Sequence, residues 1–280
     1  MKNTNIEPYW DLVSRVVKES DIVLEVLDSR LIEFSRNKEL ESLIKDYKKN
    51  VIFVVNKSDL VSKKKLKKEI KKLKKEGEVV FVSKKNKKSF KILLLAIKKI
   101  FKKYGKSEIP EELLGKARLA KADIVVSVVG YPNVGKSSII NFLAHRKKTK
   151  VSKKAGTTHG IHWIKVTNEI KLIDTPGVVP LKNEDEIKIA LIGAKNIEKL
   201  KEPLKVSNFI IRYFLEKNKK ELERLYGINI TSEEIKNKDS ESVIKKIAEK
   251  KRFLIKGGEL DENRASFLII KDWQDGKLRV

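Results

Sequence analysis

The strongest chemical signal in the chain is the segment GYPNVGKS at residues 130–137, which matches the pattern G-x-x-x-x-G-K-[ST]. The apolar run IVVSVV precedes it and the helical pattern SSIINFLA follows it. Gly130 and Gly135 allow the backbone to curl around a phosphate chain, and the start of the helix supplies amide donors. We expect Lys136 to reach the β- and γ-phosphates and the Ser137 hydroxyl to bind Mg²⁺. A chance glycine-rich turn is the alternative, and the flanking strand and helix count against it.

A second motif, NKSD, begins at Asn56 directly after the apolar run VIFVV. The carboxylate of Asp59 can accept hydrogen bonds from N1 and the exocyclic amine of guanine, which adenine does not offer in that geometry. Asn56 is expected to bond the purine edge and the stem of Lys57 to pack on the base, with residues 83–84 in support. In so lysine-rich a chain a chance match is the alternative, but the position at a strand end favours a guanine-binding loop.

Two later segments are placed to complete a magnesium–phosphate site. DTPG directly follows the predicted strand EIKLI. This position allows Asp174 to hold Mg²⁺ through water and allows the Gly177 amide to contact the γ-phosphate. The second threonine of KKAGTTHG, Thr158, lies between the phosphate loop and DTPG, where a mobile loop is expected to offer a hydroxyl to Mg²⁺. Each segment alone is an ordinary loop, and the spacing after the phosphate loop gives it meaning.

The elements that must position these residues follow from the apolar pattern. Short, nearly continuous apolar runs alternate with helical stretches, as in parallel strands that are covered on both faces. This alternation predicts a doubly wound α/β domain that ends in a hairpin. The predicted strands are residues 21–27, 51–55, 79–82, 124–129, 161–166 and 170–173.

The strand pattern stops at about residue 179, and only helical patterns follow. We therefore predict a P-loop NTPase G domain of the α/β class over residues 1–182, with a mostly parallel six-stranded sheet. Its guanine loop precedes its phosphate loop, so the domain is circularly permuted. A small all-helical domain is predicted over residues 183–280. Its predicted helices are residues 184–194, 204–216, 240–253 and 261–274, with Gly276 as a C-terminal stop.

Composition limits the classes of function. The chain has no cysteine, which excludes a disulfide partner and a thiolate zinc site, and its apolar runs are only strand-length, so we expect a cytoplasmic protein without a membrane partner. The formal net charge of +26 predicts a polyanionic partner, and we expect this partner to be nucleic acid. A protein surface adapted to high temperature is the alternative explanation. Such adaptation increases the numbers of both acidic and basic residues, whereas this chain has 64 basic and only 38 acidic residues.

The positive charge is concentrated in the predicted G domain. Residues 1–179 carry 41 basic and 20 acidic side chains, whereas residues 180–280 carry 23 and 18. The basic clusters are residues 62–75, 84–106 and 146–154, and we expect all three to contact RNA phosphates.

The order of the motifs resembles that of the YlqF/YawG-type circularly permuted GTPases, relatives of the bacterial ribosome-assembly GTPases. NKSD begins at residue 56, SKK at 83, GYPNVGKSS at 130, GTT at 156 and DTPG at 174, and the likeness extends to VLDSR near the start and KGGELDENRASFLIIKDWQDGKL near the end. The resemblance implies a G domain followed by a helical RNA-binding domain. It also implies a role in assembling a ribosomal subunit, with GTP or GDP, Mg²⁺ and K⁺ as cofactors.

The resemblance also implies a set of site residues, carried over by position. Lys136, Gly177 and Thr158 are expected to act in catalysis, Ser137, Thr158 and Asp174 to hold Mg²⁺, and Asn133 to bind K⁺. The expected nucleotide-binding residues are Asn56, Lys57, Asp59, Ser83, Lys84, Asn133, Val134, Gly135, Lys136, Ser137, Ser138, Asp174 and Gly177.

The chain departs from this pattern where the attacking water is oriented. Val178 and Val179 follow DTPG instead of a glutamine, and no histidine precedes His145. We therefore expect slow intrinsic GTP hydrolysis that potassium and RNA accelerate. A GTP-sensing RNA-binding module with little turnover, a GTPase for another structured RNA, and a P-loop ATPase or small-molecule kinase are the alternatives. The ribosomal subunit and the oligomeric state stay open, with a monomer favoured.

Overall fold

The computed structural model describes residues 7–105, 124–144, 162–174 and 185–280. The chain divides into two compact units, Met1–Lys182 and Asn183–Val280, and each unit buries its own set of apolar side chains. Within the described ranges, no helix combines the length and apolar composition that crossing a bilayer requires.

One sheet organises the first unit, and its strands are β1 (Ile22–Asp28), β2 (Asn50–Asn56), β3 (Glu78–Phe81), β4 (Ile124–Val129), β5 (His162–Lys165) and β6 (Ile170–Asp174). Their spatial order is β3-β2-β1-β4-β6-β5, and every neighbouring pair is parallel except β5 with β6. The two central strands, β1 and β4, are buried at every position, which explains their unbroken apolar sequences. The predicted α/β fold with a mostly parallel six-stranded sheet is confirmed.

The described helices of this unit are α1 (Glu7–Glu19), α2 (Ile32–Ser35), α3 (Lys38–Asp46), α4 (Lys67–Glu76), α5 (Lys88–Tyr104) and α6 (Lys136–Leu143). The crossover through α4 runs outward from β2 to β3, and the crossover through α5 runs back to β4. Because parallel crossovers are right-handed, the two helices cover opposite faces of the sheet. Arg36, beside α3, contacts Glu76 of α4 at 2.5 Å, whereas Phe90 of α5 stacks on Phe142 of α6 at 3.8 Å between ring centroids.

The basic helix predicted over residues 62–75 begins later than expected, at Lys67. A 3₁₀ turn, Lys63–Leu66, precedes it. Only Leu66 and Leu73 bury apolar side chains on this segment, so the helix has a thin inner stripe and an outer face of exposed lysines. The outer faces of α4 and α5 therefore present positive charge on opposite sides of the sheet.

The described part of the second unit is mainly helical, and its helices are α7 (Glu186–Leu191), α8 (Pro203–Lys217), α9 (Lys219–Tyr226), α10 (Ser232–Asn237), α11 (Ser240–Lys250) and α12 (Glu262–Gln274). Trp273 is buried, packs edge-on against Phe214, and donates a 2.8 Å hydrogen bond from its indole nitrogen to the Leu191 carbonyl. Four of these helices match the sequence pattern, whereas α9 and α10 are additional. The short α10 is fixed by a capping box between Thr231 and Glu234.

Candidate nucleotide-binding site

The loops that follow β2 and β4 meet at one edge of the sheet. Strand β1 lies between β2 and β4, and all three run parallel, so their carboxyl ends open onto the same crevice. At that edge the Asn56 side-chain amide donates a 2.7 Å hydrogen bond to the Val134 carbonyl. This bond joins the NKSD motif directly to the loop GYPNVGKS, although 78 residues of sequence separate the two partners.

Two glycines are required where the phosphate loop passes close to the NKSD loop and to strand β1. Gly135 has φ +108°, and a Cβ atom there would lie 2.1 Å from the Asn56 amide nitrogen. Gly130 has φ +137°, and its Cβ would lie 2.7 Å from the Val26 carbonyl oxygen. Both backbone conformations are ones that side chains with a Cβ rarely adopt. The motif glycines therefore provide close backbone approach as well as curvature.

Lys136 is the first residue of α6 and is buried, with 6% of its surface exposed. Its ammonium group donates hydrogen bonds of 2.8 Å to the carbonyls of Gly130 and Tyr131, so the charge lies inside the curve of the loop. Ser137 and Ser138 follow in the first helical turn. A buried ammonium group at a helix start is suited to a phosphate chain.

Tyr131 anchors the loop to the neighbouring helix, a contact that the sequence did not reveal. Its ring is fully buried, and its hydroxyl accepts a 3.2 Å hydrogen bond from the Asn37 side-chain amide. The side-chain oxygen of Asn37 also caps α3 by accepting a 2.7 Å hydrogen bond from the Leu40 backbone amide. The backbone amide of Asn37 donates a 3.3 Å hydrogen bond to the Glu25 carboxylate on β1. Helix α3 and strand β1 therefore hold the phosphate-binding loop in place.

Glu25 is the ionisable centre of this anchor. Burial, with the nearby charge of Glu41, raises the pKa of Glu25 from 4.5 to about 8, and its second carboxyl oxygen has no hydrogen-bond partner in the described part of the chain. Between these pH values the folded protein keeps the proton and the unfolded chain releases it. The free energy of unfolding should therefore fall as the pH rises from 4.5 to about 8.

Replacing Glu25 by glutamine removes this titration. At pH 7.5 we expect the variant to be more stable than the wild type by about 2–4 kcal/mol, and at pH 4.5 the two should be nearly equal. Urea unfolding of the full chain across this pH range measures the difference. Glu39→Gln, an exposed change on α3, is the matched control and should leave the pH profile unchanged. A stability difference that is constant with pH would contradict this account.

The guanine loop is held by contacts of its own. Lys57 adopts a left-handed backbone conformation with φ 57°, and the Asp59 carboxylate accepts a 2.7 Å hydrogen bond from the Ser83 hydroxyl. Lys85 lies 3.3 Å from the other oxygen of Asp59, and both Lys84 and Lys85 are exposed. Burial acts to raise the pKa of Asp59, but the bonds from Ser83 and Lys85 lower it below its ordinary value. The carboxylate is therefore fixed in its ionised form.

The motif VLDSR contributes three more residues, to which only the family resemblance pointed. The Asp28 carboxylate lies 2.7 Å from the Lys57 ammonium group and 2.9 Å from the Arg30 guanidinium. The Ser29 hydroxyl donates a 2.8 Å hydrogen bond to the Lys57 carbonyl. Strand β1 ends beside β2, with Asp28 in register with Asn56, which brings the two motifs together.

Several expected site residues lie partly or wholly outside the described residues. Thr158 and Gly177 fall in ranges that are not described. The backbone of Asp174 ends β6 in register with Val128 of β4, which places this position beside the strand that leads to the phosphate loop. Asn133 lies in that loop with φ 59°. The magnesium, potassium and catalytic roles of these residues stay predictions.

The described residues fit a guanine nucleotide. The Asp59 carboxylate lies in one of the joined loops and the buried Lys136 in the other, and the Asn56 amide contacts the second loop beside Gly135. The donor set is chemically suited to a base that offers two N–H groups and to a phosphate chain. The fold and this site together define a P-loop GTPase domain of permuted order.

Comparison with known proteins agrees with this class. A family model described as a 50S ribosome-binding GTPase matches residues 125–255. The chain is 40% identical to the GTP-binding protein MJ1464 of Methanocaldococcus jannaschii over 97% of its own length and 66% of that protein. It is 32% identical to nucleolar GTP-binding protein 2 of Saccharomyces cerevisiae, over 96% of its own length and 52% of that protein.

Among solved structures, the chain is similar to GNP-bound YlqF from T. maritima, with a TM-score of 0.59 and 24% identity. The match covers 97% of this chain and 95% of that one, and it concerns the fold. The likeness to the circularly permuted GTPases of the YlqF/YawG type that the motif order predicts is confirmed in the fold, and in sequence the chain is related to GTP-binding proteins. It spans 66% of its archaeal relative and about half of its yeast relative.

Proposed function

We propose that this protein binds and hydrolyses GTP and acts in ribosome assembly, with the nucleotide state controlling its binding to ribosomal RNA or a ribosomal subunit. The observation that carries the nucleotide part is the bond from Asn56 to Val134, which joins the guanine loop to the phosphate loop. The ribosomal part is supported by the description of the matching family and by the nucleolar names of eukaryotic relatives.

The residues divide this work along the crevice. Asp59 reads the base, Asn56 ties the base loop to the phosphate loop, and Lys136 binds the phosphates together with Ser137. Bound Mg²⁺ would neutralise phosphate charge, held by Ser137, Thr158 and Asp174, and Asn133 would hold K⁺. Lys136, Thr158 and the Gly177 amide would stabilise the charge of the transferred phosphoryl group.

Turnover is expected to be slow in the isolated protein. DTPG is followed by Val178 and Val179, so a glutamine is not present there to orient water. This observation also favours the second candidate, a GTP-sensing RNA-binding module. Multiple-turnover phosphate release, measured in K⁺ and in Na⁺ with and without ribosomal subunits, separates the two. Stimulation by K⁺ and by subunits supports the GTPase, whereas release that never exceeds one equivalent supports the sensing module.

The position of DTPG supports the proposal that the nucleotide controls RNA binding. This motif begins at Asp174, close in sequence to the start of the second unit at Asn183. A γ-phosphate contact at Gly177 and Thr158 would change how the second unit meets RNA. Affinity for ribosomal RNA, measured with a GTP analogue and with GDP, tests this coupling. Equal affinities would remove it.

The lysines of α5 are expected to contact RNA phosphates. Lys91 and Lys99 are exposed on its outer face. Replacing both by glutamine should lower the slope of log affinity against log salt by about 1.5, because each lost phosphate contact contributes about 0.7–0.9. Lys45→Gln/Lys48→Gln, an exposed pair at α3, removes the same charge and should leave the slope unchanged. Equal slopes for both double variants would show that net charge alone, and not this face, sets RNA affinity.

The other basic clusters belong to the same proposal. The lysines of α4 lie on the opposite face of the sheet, and those of residues 146–154 lie outside the described residues. A cytoplasmic location and a monomeric state are proposed on sequence grounds alone. The eukaryotic relatives carry nucleolar names, so the place of action is expected to follow the site of ribosome assembly.

A further inference from the structure

The lysine of the NKSD motif is held by strand β1. The Lys57 ammonium group lies 2.7 Å from Oδ2 of Asp28, which is 4% exposed at the end of that strand. Lys57 itself is only partly buried, and its side chain starts from a left-handed backbone position. The ion pair therefore fixes both ends of a flexible four-carbon stem that lies beside Asp59 in sequence.

Arg30 holds the carboxylate in turn. Its backbone amide and Nε donate to Oδ1 of Asp28 at 3.0 and 3.1 Å, and Nη2 donates to Oδ2 at 2.9 Å. Burial alone raises the pKa of Asp28, but the charges and hydrogen bonds of Arg30 and Lys57 hold the pKa well below its ordinary value. Asp28 is therefore a fixed anion that contacts both Arg30 and Lys57.

Ser29 adds backbone links between the same two segments. Its hydroxyl donates to the Lys57 carbonyl at 2.8 Å, and its amide donates to the Asn56 carbonyl at 3.0 Å. The segment from Asp28 to Arg30 thus contacts the base loop through a side-chain ion pair and two hydrogen bonds. Such preformed contacts reduce the entropy that the loop must lose when it binds a ligand.

We infer that Asp28, Ser29 and Arg30 form a clamp, named here the β1 clamp, that positions Lys57 against the guanine base. The inference rests on the proposed function, because it assigns the clamp to the guanine pocket. Asp28 and Arg30 act as positioning residues, since they hold Lys57 and do not themselves need to touch the nucleotide. The alternative is that the ion pair only ties the ends of β1 and β2 together.

A double-mutant cycle on GDP affinity separates these two roles. Displacement of a fluorescent GDP analogue gives the dissociation constant. Asp28→Asn and Lys57→Met should each weaken GDP binding by about tenfold, the order expected for losing one charged hydrogen bond. The variant with both changes should bind no more weakly than Lys57→Met alone. In steady-state hydrolysis Asp28→Asn should raise KM and leave kcat unchanged, because the γ-phosphate end is untouched.

Asp28→Asn removes the carboxylate charge that faces the buried guanidinium of Arg30, and this loss can reduce folding. The variant Asp28→Asn/Arg30→Met removes both charges and should show the same loss of GDP affinity and the same dependence on Lys57. Asp46→Asn, an exposed change at the end of α3, is the matched control and should bind GDP normally. Equal weakening in the presence and absence of Lys57 would overturn the clamp. Failure of the wild type to bind GDP would overturn the proposed function instead.

Discussion

Replacing Asp59 by asparagine is expected to lower the affinity for GDP and GTP by about 10²- to 10⁴-fold. The negative charge that strengthens both hydrogen bonds is lost, and the donor NH₂ group of asparagine would face the exocyclic amine of guanine, which is also a donor. The same change should create affinity for xanthosine nucleotides. Xanthine has a carbonyl where guanine has its exocyclic amine, and the asparagine amide can donate to that carbonyl. Competition of GDP and XDP against a fluorescent nucleotide measures both effects.

The contacts around Asp59 provide the control for this exchange. Ser83 donates to Oδ1 at 2.7 Å, a bond that an asparagine carbonyl can still accept. Ser83→Ala removes that support and should weaken GDP binding by about threefold, the effect of one ordinary hydrogen bond, without favouring XDP. If Asp59→Asn lowered GDP affinity no more than Ser83→Ala does and gained none for XDP, guanine would not be read at Asp59.

Replacing Gly135 by alanine is expected to weaken GDP binding by about 10²-fold, because it combines backbone strain with loss of a hydrogen bond. The added methyl group would lie 2.1 Å from the Asn56 amide nitrogen, so the bond from Asn56 to Val134 must break or the loop must move. Both ends of the nucleotide should be affected together, since this bond joins the two loops. Calorimetric titration with GDP gives the affinity, and thermal unfolding gives the stability.

Gly257→Ala is the matched control for backbone strain. Gly257 has φ +105°, close to the +108° of Gly135, but open space surrounds the position where its Cβ would lie. Both variants should lose about 1–3 kcal/mol of stability from strain, and only Gly135→Ala should lose nucleotide affinity. Equal GDP affinities for the two variants would show that the contact between the loops is not needed for binding.

Much of the first unit was accessible from the sequence because its strands are buried on both faces. Unbroken apolar runs such as IVVSVV mark such strands, and the motifs lie at their carboxyl ends. If both motifs bind one nucleotide, the strands that precede them must end at the same edge of one sheet. The contact of Asn56 with Val134 agrees with that arrangement. The predicted and observed strand boundaries agree to within two residues, because the sequence changes sharply from apolar to polar residues at the strand ends.

Contacts between side chains that are distant in sequence could not be predicted from the sequence. Nothing in the chain pairs Asn37 with Tyr131, because both lie in loops whose approach depends on how α3 packs. Asp28 stood out only through family resemblance, since register, not periodicity, brings it to Lys57. The role of Lys84 in supporting the base stays a prediction, and the contact of its neighbour Lys85 with Asp59 was not foreseen. Neighbouring lysines in a loop carry no signal that distinguishes them.

The second unit was only partly predictable. Helix α8 has a broad apolar stripe, whereas α10 has six residues and depends on its capping box, so its periodicity is too short to detect. The link from Trp273 to the Leu191 carbonyl is a tertiary contact without a local pattern. Helical character could therefore be predicted, but helix number and docking could not.

A crystal structure of the full chain with GDP tests the central claim most directly. The account predicts one GDP per chain, with its base bonded to the Asp59 carboxylate and its β-phosphate bonded to the Lys136 ammonium group. Lys136 should then exchange its contacts with the Gly130 and Tyr131 carbonyls, in whole or in part, for phosphate oxygens. A nucleotide that contacts Lys136 while its base lies away from Asp59 would contradict the account.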